Sequence, residues 1–599
     1  MPSQGKLIKL DFAPGLDRNR SAYQNQTTYT DGDKVRVHNS GFEKLSGWQT
    51  LQTTGTFHGL ARDSITWVDL VGDKYWATGT HNELALYYGG TIYDITPVRT
   101  TVAATSVFST VSGDSNVRVS INSHGAVVGD YVYFTSASAG TLDIKGVYAV
   151  TSAATNIFDF TASANAGSTV NNDGAAGRQV WFLLASGLAD NTAAAGYGTG
   201  SYGSGAYGIG GVGTLTANLR NWSLDTWGED LIANVRNGGV YIWDKTLGTG
   251  SRAIAISGAP TRNNFALVTE PTRNLMLFGT CVAGGDFDPL QIRWSANEDY
   301  TLFSAAVTNA AGGQRLKGGQ YIQGAIQTNR QIFILTDEGA HTATYVGPNY
   351  YWSFEKVGSN CGAISPQSMV DVGGIVFWMG HRNFYLFDGT VKPIPSSLNK
   401  AYFEQDGDYT INWDQKEKVF CGVDTQFGEI IWLVPTGTNT EINRYVIYNY
   451  RENLWYDGTM DRTTWVNAGI FEFPLATTTS ATIMEHDIGH DADGQPLRSF
   501  IQTGFFAPVE DGNGIAFVDQ YIPDVQEVHG NNLKFYVITR KYPNGTETTK
   551  GPYTLTSVTT KVNLRSRGRE ISLKWDVSAV GTNYELGYQR LRIAADGER

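Results

Sequence analysis

The sequence predicts an all-β fold with a β-propeller-like body, a small inserted β-barrel, and a C-terminal β-sandwich or closing module. From residue 57 onward, apolar runs of strand length alternate with Gly, Asp and Asn turns, as in residues 373–394. No stretch longer than about ten residues shows helical periodicity. Apolar and aromatic triplets followed by Asp or Gly recur roughly every 40 to 60 residues, which is the spacing of four-stranded propeller blades.

Length and composition agree with a β-rich chain that has several hydrophobic cores. The 599 residues include 12% aromatic and 17% charged residues, and the net charge is −12. Such an acidic chain does not favour a surface that grips nucleic acid by neutralising phosphates. Cys281, Cys361 and Cys421 lie far apart and predict neither a disulfide framework nor a metal site. No apolar run reaches about 18 residues, so we expect a soluble protein made in the cytoplasm, without a membrane-spanning segment.

Changes in composition divide the chain into six segments. An extended N-terminal segment is expected to contribute strands to the body, and a first blade follows it. A Ser-, Ala- and Thr-rich set of short alternating strands then interrupts the blades and predicts the inserted barrel. A Gly/Tyr-rich loop leads to the remaining blades, and alternating strands form the closing module. The predicted bounds of the six segments are 1–56, 57–100, 101–185, 186–215, 216–514 and 515–599.

The Gly/Tyr-rich loop has a five-residue period between residues 196 and 213. Tyr197, Tyr202 and Tyr207 each precede a glycine. The pattern Gly-x-Gly-x-x-Gly also fits a dinucleotide-binding loop, but such a loop passes from a strand directly into a helix, and no helical face follows here. A plain linker would lack regularly placed aromatic residues. The segment therefore predicts a succession of tight turns that present three tyrosines to another surface.

Two clusters of polar residues suggest chemistry at first sight. Residues 485–494 hold two histidines and four carboxylates, and Asp491-x-Asp493-Gly494 has the character of a calcium loop without the further ligands of an EF-hand. A solvated hairpin is the favoured interpretation, and binding of a divalent ion between residues 486 and 493 is left open. Ser223-x-Asp225-x-Trp227 is a fragment of an aspartate box, a folding element of propellers. We predict no catalytic residue, no metal site and no cofactor.

A basic cluster near the C-terminus, Arg565-x-Arg567-Gly-Arg569, fits a phosphate site by residue type. It begins a predicted strand beside Glu570 and Asp576, which favours salt bridges within or between subunits. No nucleophile elbow, phosphate-binding Walker loop or zinc-ligand spacing occurs elsewhere in the sequence.

Several short motifs occur in an order shared with one family of viral structural proteins. The first are Pro14-Gly15, the segment DKVRV at 33–37, and the turn from Glu43-Lys44 to Gly47-Trp48. Segments 292–303, 336–347, 361–380 and 384–389 continue the order, and the closing motifs are Arg567-Gly568-Arg569, Leu586-Gly587 and Arg590-Leu591. Over most of 7–100 and 220–599 the chain resembles the tail nozzle proteins of short-tailed bacteriophages, also called packaged-DNA stabilisation or tail tube proteins.

The resemblance implies a structural virion protein of the tail, assembled in the host cytoplasm, and not an enzyme. Its copies, by expectation six, would form a homo-oligomeric ring below the portal and head-tail adaptor, a channel that retains packaged DNA and conducts it during ejection. Tail fibres, spikes or a needle would be its outer partners. Tyr197, Tyr202 and Tyr207 would then form an assembly or fibre-docking loop, and Arg565, Arg567 and Arg569 would form inter-subunit salt bridges. The resemblance does not identify the residues that line the channel.

Two alternatives belong to other functional classes. One is a receptor- or glycan-binding tail propeller with aromatic-lined pockets. The other is a tail depolymerase that cleaves glycans, which would require a pair of carboxyl groups about 5 to 9 Å apart in a cleft.

Overall fold

Nearly all of the regular secondary structure is β-strand over the residues that the computed structural model describes, which are 5–21, 24–38, 41–102, 107–134, 138–173, 180–191, 219–348, 350–509, 513–526, 530 and 532–597. Within these ranges one α-helix, Asn399–Phe403, and two 3-10 helices, Lys245–Leu247 and Trp413–Lys418, accompany the strands. The predicted all-β fold class is confirmed. The chain forms two compact units, the first from 1–52, 323–345 and 352–599, and the second from 53–322 and 346–351.

The second unit contains three four-stranded antiparallel sheets in meander order, which we name blades 1 to 3. Blades 1 and 2 share a core that includes Trp67 and Trp243, and blades 2 and 3 share one that includes Ile232 and Leu277. The strands of blade 1 are Ala61–Val68, Lys74–Thr80, Leu84–Tyr88 and Thr91–Asp94; those of blade 2 are Trp222–Trp227, Asp230–Val235, Val240–Trp243 and Ile254–Ala255; those of blade 3 are Asn263–Val268, Leu275–Cys281, Phe287–Trp294 and Gly312–Arg315.

The inserted domain follows blade 1 in the same unit and has a core of its own. Eight of its strands form one sheet with Val98–Val102 and Val170–Asp173 at the edges. The rings of Phe108 and Phe134 lie 5.5 Å apart although three strands separate theirs in the sheet, so the sheet curls around the core as a small barrel does. Its strands are Val98–Val102, Val107–Thr110, Asn116–Ser120, Tyr131–Phe134, Gly146–Ala154, Ile157–Thr161, Val170–Asp173 and Val180–Leu183, with the hairpin Ser138–Ala139 and Leu142–Asp143.

The first unit contains four further sheets of the same type, blades 4 to 7, apart from residues 322 and 346–351 of blade 4. Blade 7 takes its fourth strand, Trp48–Thr50, from the N-terminal segment. The other strands are Ile322–Gln327, Ile332–Thr336, Gly339–Gly347 and Tyr351–Ser359 in blade 4; Met369–Val372, Ile375–Met379, Phe384–Phe387 and Val391–Ile394 in blade 5; Phe420–Asp424, Glu429–Val434, Arg444–Asn449 and Leu454–Thr459 in blade 6; and Arg462–Val466, Leu475–Thr478 and Ile483–His486 in blade 7.

A β-sandwich completes the first unit. Its two sheets share a core in which the rings of Tyr521 and Phe535 stack 3.8 Å apart and Trp575 donates a hydrogen bond to the Tyr521 hydroxyl. One sheet has the order Lys6–Leu10, Gln589–Ala595, Ala516–Ile522, Val562–Gly568, and the other Ala13–Leu16, Thr28–Asp33, Ser499–Thr503, Glu570–Val577, Leu533–Arg540, Thr548–Leu555. A small sheet has the order Val35–His38, Gly41–Lys44, Glu585–Leu586, Val525–Gln526.

The N-terminal segment, expected to contribute strands to the body, joins both parts of the first unit. Trp48–Thr50 belongs to blade 7, whereas the five strands before it lie in the three sheets just described. Apolar side chains of these five strands, among them Leu10, Leu16 and Val35, are buried in the large core that the sandwich shares with blades 5 to 7. The segment is thus held by burial of its apolar side chains along its length.

Two blade interfaces place a tryptophan ring directly against a glycine of the preceding blade. Trp465 of blade 7 covers Gly422 of blade 6 and donates a hydrogen bond to the carbonyl of Val423 at 3.1 Å. Trp222 of blade 2 covers Gly79 of blade 1 and donates to the carbonyl of Thr80 at 2.7 Å. A side chain at either glycine would occupy the space of the ring, since a methyl carbon there would lie 2.5 Å or less from it.

Candidate functional site

Arg36, the arginine of the DKVR motif, is the centre of a buried ion cluster in the first unit. Its guanidinium donates two hydrogen bonds to Glu429, at 2.6 and 3.0 Å. It donates one each to Asp487, at 3.1 Å, and Asp424, at 3.3 Å. The Arg36 side chain is only 2% exposed and its Cζ lies 3.4 Å from the centre of the Phe427 ring. The cluster therefore joins the N-terminal segment to blade 6 away from solvent.

Three carboxyl groups surround this one guanidinium, so the Arg36 cluster has an excess of negative charge. Burial and the neighbouring Asp487 raise the pKa of Asp424 to about 8, although Arg36 opposes the shift. Asp424 therefore carries a proton at neutral pH, which brings the cluster closer to charge balance. Glu429 also accepts a hydrogen bond from the Tyr456 hydroxyl. The guanidinium and the carboxyl groups bind each other, so the cluster is a structural contact inside the protein.

A second buried ion cluster ties the segment before the motif to blade 6. Asp457 accepts hydrogen bonds from Arg18 at 3.0 Å, from Arg444 at 2.8 Å and from the Tyr402 hydroxyl at 2.6 Å. Burial alone would raise the pKa of Asp457, but the two guanidinium groups hold it below its usual range. Asp457 belongs to one of the recurring apolar and aromatic runs that are followed by Asp or Gly, residues 446–458, and its role is again to connect segments.

The carboxylates of loop 485–494 are used for contacts within the protein. Asp487 belongs to the Arg36 cluster. Asp491 accepts a hydrogen bond from the backbone of Gly581 at 2.7 Å, and Asp493 accepts two from Thr50 at 3.1 and 2.8 Å. No group of three His, Cys, Asp or Glu side chains suited to a metal ion occurs among the described residues. The loop fixes the end of the N-terminal segment to blade 7.

The other motif residues surround the same loop. Lys44 is buried and donates hydrogen bonds of 2.7 Å to the carbonyls of His490 and Thr582. His486 is buried with its ring 5.3 Å from that of Trp48, and burial together with the adjacent Arg462 lowers its pKa well below the usual value. This imidazole is therefore neutral at physiological pH, which suits a packed ring and excludes a charged one.

The aspartate-box fragment connects blades 2 and 3. The Asp225 carboxylate accepts hydrogen bonds from the backbone of Thr226 at 2.8 Å and of Val268 at 2.7 Å. Ser223 accepts one from the backbone of Ala266 at 2.9 Å, and Trp227 packs in the core between the two blades. Burial raises the pKa of Asp225 to about 6. These contacts are those of a folding element.

The three arginines of the basic cluster follow the exposed face of strand Val562–Gly568 and the residue beyond it. Arg567 forms an ion pair with Asp596 of the same chain at 2.6 Å, and the guanidinium of Arg569 lies 5.6 Å from the centre of the Tyr542 ring. Arg565 is exposed. Salt bridges between subunits at these positions stay a prediction. The three tyrosines of the predicted docking loop, Tyr197, Tyr202 and Tyr207, lie outside the described residues.

A cleft that was not predicted from the sequence lies in the second unit, between blade 1 and the inserted barrel. It encloses a cavity of about 360 Å³ whose polar lining includes His58, Asn82, Glu83, Asp94 and Tyr131. Asp94 pairs with Ala85 of the neighbouring strand, two positions beyond Glu83, so the two carboxyl groups are diagonal neighbours on one face. A carboxylate on each side of a hairpin is visible in the sequence, but the barrel that covers them is not.

The two carboxyl groups of the cleft have opposite electrostatic environments. Burial and the neighbouring Asp94 raise the pKa of Glu83 to about 7, although His58 opposes the shift. Burial would also raise the pKa of Asp94, but Arg252 donates two hydrogen bonds to it, at 2.7 and 3.0 Å, and holds the pKa below its usual range. One group therefore retains its proton near neutrality while the other is ionised, an arrangement frequent at functional sites.

Replacing Glu83 by glutamine is expected to stabilise the protein at pH 8 and to have little effect at pH 5. The pKa of the Glu83 carboxyl group is about 7 in the folded protein, whereas the ordinary pKa of a glutamate is 4.5. Its contribution to stability is therefore full below pH 4.5 and is lost as the pH rises through 7. Removing the ionisable group should restore on the order of 2 kcal/mol at pH 8. Urea unfolding of both proteins at the two pH values tests this, with the exposed Glu298→Gln as control; an equal effect at both pH values would disprove it.

No helix in the described part of the chain is long and apolar enough to span a bilayer.

Comparison with known proteins gives neighbours of the fold and no family. No family model matches the chain, and no curated protein matches it. BamB from Moraxella catarrhalis is 10% identical over 45% of this chain and 84% of its own, with a TM-score of 0.24. The phage phi92 endosialidase is 11% identical over 84% and 64%, with a TM-score of 0.15. An exo-β-1,3-galactanase from Phanerochaete chrysosporium is 10% identical over 56% and 99%, with a TM-score of 0.22. Two of these neighbours are glycan-cleaving enzymes by name, but similarity at this level carries no argument about function.

Proposed function

We propose that this protein is a tail nozzle of a short-tailed bacteriophage, a structural protein of the virion tail that is assembled in the host cytoplasm. Copies of the chain, six by expectation, form a closed ring that continues the channel of the portal and head-tail adaptor. The ring retains packaged DNA and conducts it during ejection without sequence-specific binding. The chain has no catalytic residue and no cofactor in this function.

One observation carries the proposal: the charged residues of the motifs shared with nozzle proteins are part of the framework. Arg36 and Lys44 are buried and bind carboxylates and carbonyls far away in the sequence. Trp48 begins the strand that completes blade 7. Motifs that formed a catalytic centre would direct such groups into a cleft, whereas these hold the N-terminal segment on the blades. This supports a structural role for these motifs, as the resemblance to nozzle proteins implies.

The charge of the chain agrees with a channel through which DNA moves. DNA carries a high negative charge density, and a continuous lysine and arginine lining would trap it through phosphate contacts. The net charge of −12 favours a lumen of Asp, Glu, Asn and Ser with scattered basic residues. A ring structure with a continuous basic belt around its lumen would contradict this part of the proposal.

Electron microscopy of the purified full chain, alone and mixed with the head-tail adaptor, tests the proposed function. We expect sixfold rings with an axial hole, and salt bridges at subunit boundaries that involve Arg565, Arg567 and Arg569. A chain that stays monomeric in light scattering at micromolar concentration, both with and without the adaptor, would overturn the nozzle proposal.

Deletion of residues 196–213 is expected to weaken ring assembly or attachment of tail fibres, because Tyr197, Tyr202 and Tyr207 are proposed to pack on the partner surface. Infectious titre and particle composition measure the effect. A variant with all three tyrosines replaced by serine keeps the length of the segment. It therefore separates the effect of losing the aromatic side chains from the effect of removing residues 196–213. Normal titre from both variants would refute the assignment.

A glycan-binding tail propeller is the second candidate, and the cleft at Glu83 is the observation that favours it. A depolymerase would in addition release reducing sugar from a host polysaccharide, which a colorimetric assay detects. Absence of release with retained binding distinguishes the binding protein from the enzyme.

A further inference from the structure

The ion pair between Asp94 and Arg252 separates two cavities of the second unit. Asp94 lines the cavity of about 360 Å³ at Glu83. Arg252 lines a neighbouring cavity of about 450 Å³, together with Tyr133 and Trp181. Blades 1 and 2 form one wall of the two cavities and the inserted barrel forms the other, so the cleft is several side chains long.

The barrel wall of this cleft carries aromatic rings because side chains alternate between the two faces of its strands. In strand Tyr131–Phe134, Val132 and Phe134 are fully buried in the barrel core. Side chains alternate along a strand, so Tyr131 and Tyr133 lie on the opposite face. Trp181 pairs with Tyr133 on the adjacent strand and adds a third ring to that face. The Arg252 guanidinium already covers the Tyr133 ring, with its Cζ 4.6 Å from the ring centre. Tyr131 and Trp181, each next to one of the two cavities, therefore offer the surface suited to a flat apolar ligand face.

The blade wall supplies hydrogen-bonding groups that are fixed in position. Glu83 accepts a hydrogen bond from the backbone of His58 at 2.6 Å, and its second oxygen lies 3.3 Å from the imidazole Nδ1. Asp94 is held by Arg252 and by the backbone of Thr96 at 2.9 Å. The Glu83 and Asp94 side chains are 14% and 28% exposed, so both can still reach a ligand. Each carboxyl group has lone pairs left to accept hydrogen bonds from hydroxyl groups.

We propose that this cleft, between the aromatic face of the inserted barrel and the carboxyl groups of blade 1, is a binding site for a neutral saccharide. The C–H face of a sugar ring would pack on Tyr131 or Trp181, because hydrogen-bearing carbons are attracted to the negative face of an aromatic ring. Hydroxyl groups on the ring would bond to Glu83 and Asp94. Arg252 is neutralised by Asp94, and Arg99 by Asp130 at 3.1 Å, which leaves no free cation for an acidic sugar among these lining arginines.

The protonation state of Glu83 agrees with a ligand rich in hydroxyl groups. With its pKa raised to about 7, the group is protonated over much of the range below neutrality. A protonated carboxyl group both donates and accepts a hydrogen bond, as a sugar hydroxyl does. The groups that face it are His58, which precedes blade 1, and Asp94 of blade 1, with Arg252 of blade 2 behind Asp94.

The saccharide site goes beyond the proposed nozzle and does not depend on it. Ring formation tests the nozzle, and sugar binding by the isolated chain tests the cleft, so either can fail without the other.

The test is a glycan array of neutral and acidic oligosaccharides from bacterial surface polysaccharides, probed with the purified full chain. Calorimetry then measures the affinity for the best oligosaccharide. We expect a neutral oligosaccharide to bind, and Glu83→Ala and Trp181→Leu to weaken binding at least tenfold. Glu298→Gln and Tyr350→Ala, which alter an exposed carboxylate and an exposed ring elsewhere in the chain, should bind as the unaltered protein does.

Circular dichroism and thermal unfolding show whether each variant is folded. If Trp181→Leu is not folded, Tyr131→Leu replaces it as the aromatic variant. No binding to any oligosaccharide, binding to acidic sugars alone, or unchanged affinity in both folded site variants would each overturn the proposal.

Discussion

Replacing Arg36 by methionine is expected to lower the free energy of unfolding by about 3 to 5 kcal/mol. The substitution keeps the length and apolar stem of the side chain and removes the guanidinium that binds Glu429, Asp424 and Asp487. Three carboxyl groups are then left buried without a cation, and this desolvation cost, more than the lost hydrogen bonds, produces the effect. Urea or thermal unfolding of the full chain measures it.

The loss at Arg36 should also depend on pH in a defined direction. Without the guanidinium, which now opposes the shift, the pKa of Asp424 rises further, so the folded state binds more protons than the unfolded state. Stability of the variant then falls as the pH rises, and the deficit against the unaltered protein is smaller at pH 5 than at pH 8. Arg36→Lys should recover only part of the loss, because an ammonium group cannot form the two parallel bonds to Glu429.

Arg20 provides a matched control for the Arg36 variant. It lies in the same N-terminal segment and forms an ion pair with Asp17 at 3.4 Å, but its side chain is 62% exposed. Arg20→Met is therefore expected to change stability by less than about 1 kcal/mol. Comparable effects of the two substitutions would show that the Arg36 cluster contributes no more than a surface ion pair, and that the N-terminal segment is held by its apolar residues alone.

The fold class could be predicted from the sequence because β-strands carry a local signal. Alternation, turn residues and the recurring apolar and aromatic closures all lie within a few residues of one another. The pairing of distant strands has no such signal. Lys6–Leu10 pairs with Gln589–Ala595 at the opposite end of the chain, and nothing in either segment specifies the other.

The insertion also hides a repeat that the structure makes plain. Trp465 bonds to the carbonyl of Val423 across 42 residues, which is one blade, whereas Trp222 bonds to that of Thr80 across 142. The two contacts use the same device, a tryptophan on a glycine of the preceding blade. Most of the difference is the inserted barrel and the Gly/Tyr-rich loop, which displace the second occurrence from the expected spacing.

For the functional residues, too, the sequence shows the residue itself but not its distant partners. Arg36 could be recognised as part of an ordered motif, but its partners lie 388 to 451 residues away, so its role in an ion cluster could not be predicted. The sequence leaves a divalent ion near Asp487 open because it shows the acidic neighbours of this residue and not the arginine that it faces. Glu83 and Asp94 can be seen in the sequence on either side of a hairpin, but nothing there indicates a cleft, since its chemistry depends on the barrel packed over them.

Replacing Gly422 by valine is expected to lower the free energy of unfolding by about 3 kcal/mol or more. A methyl carbon at Gly422 would lie 2.5 Å from the Trp465 ring, far inside van der Waals contact. The ring would have to move away, breaking the hydrogen bond from its Nε1 to the carbonyl of Val423 and opening the interface between blades 6 and 7. Loss of this bond adds to the cost of overpacking.

A double-mutant cycle shows whether the Trp465 ring is the cause of the loss at Gly422. Trp465→Ala alone should cost about 3 to 5 kcal/mol through the cavity that it leaves. In that background Gly422→Val should cost far less than in the unaltered protein, because the side chain fills the vacated space, and the coupling should exceed about 1 kcal/mol. Gly250 has open space around its Cβ position, so Gly250→Val is the matched control, with an expected change within about 0.5 kcal/mol. Additive losses in the cycle would mean that Gly422 is required for the strand itself, and that its contact with the tryptophan contributes nothing to the blade interface.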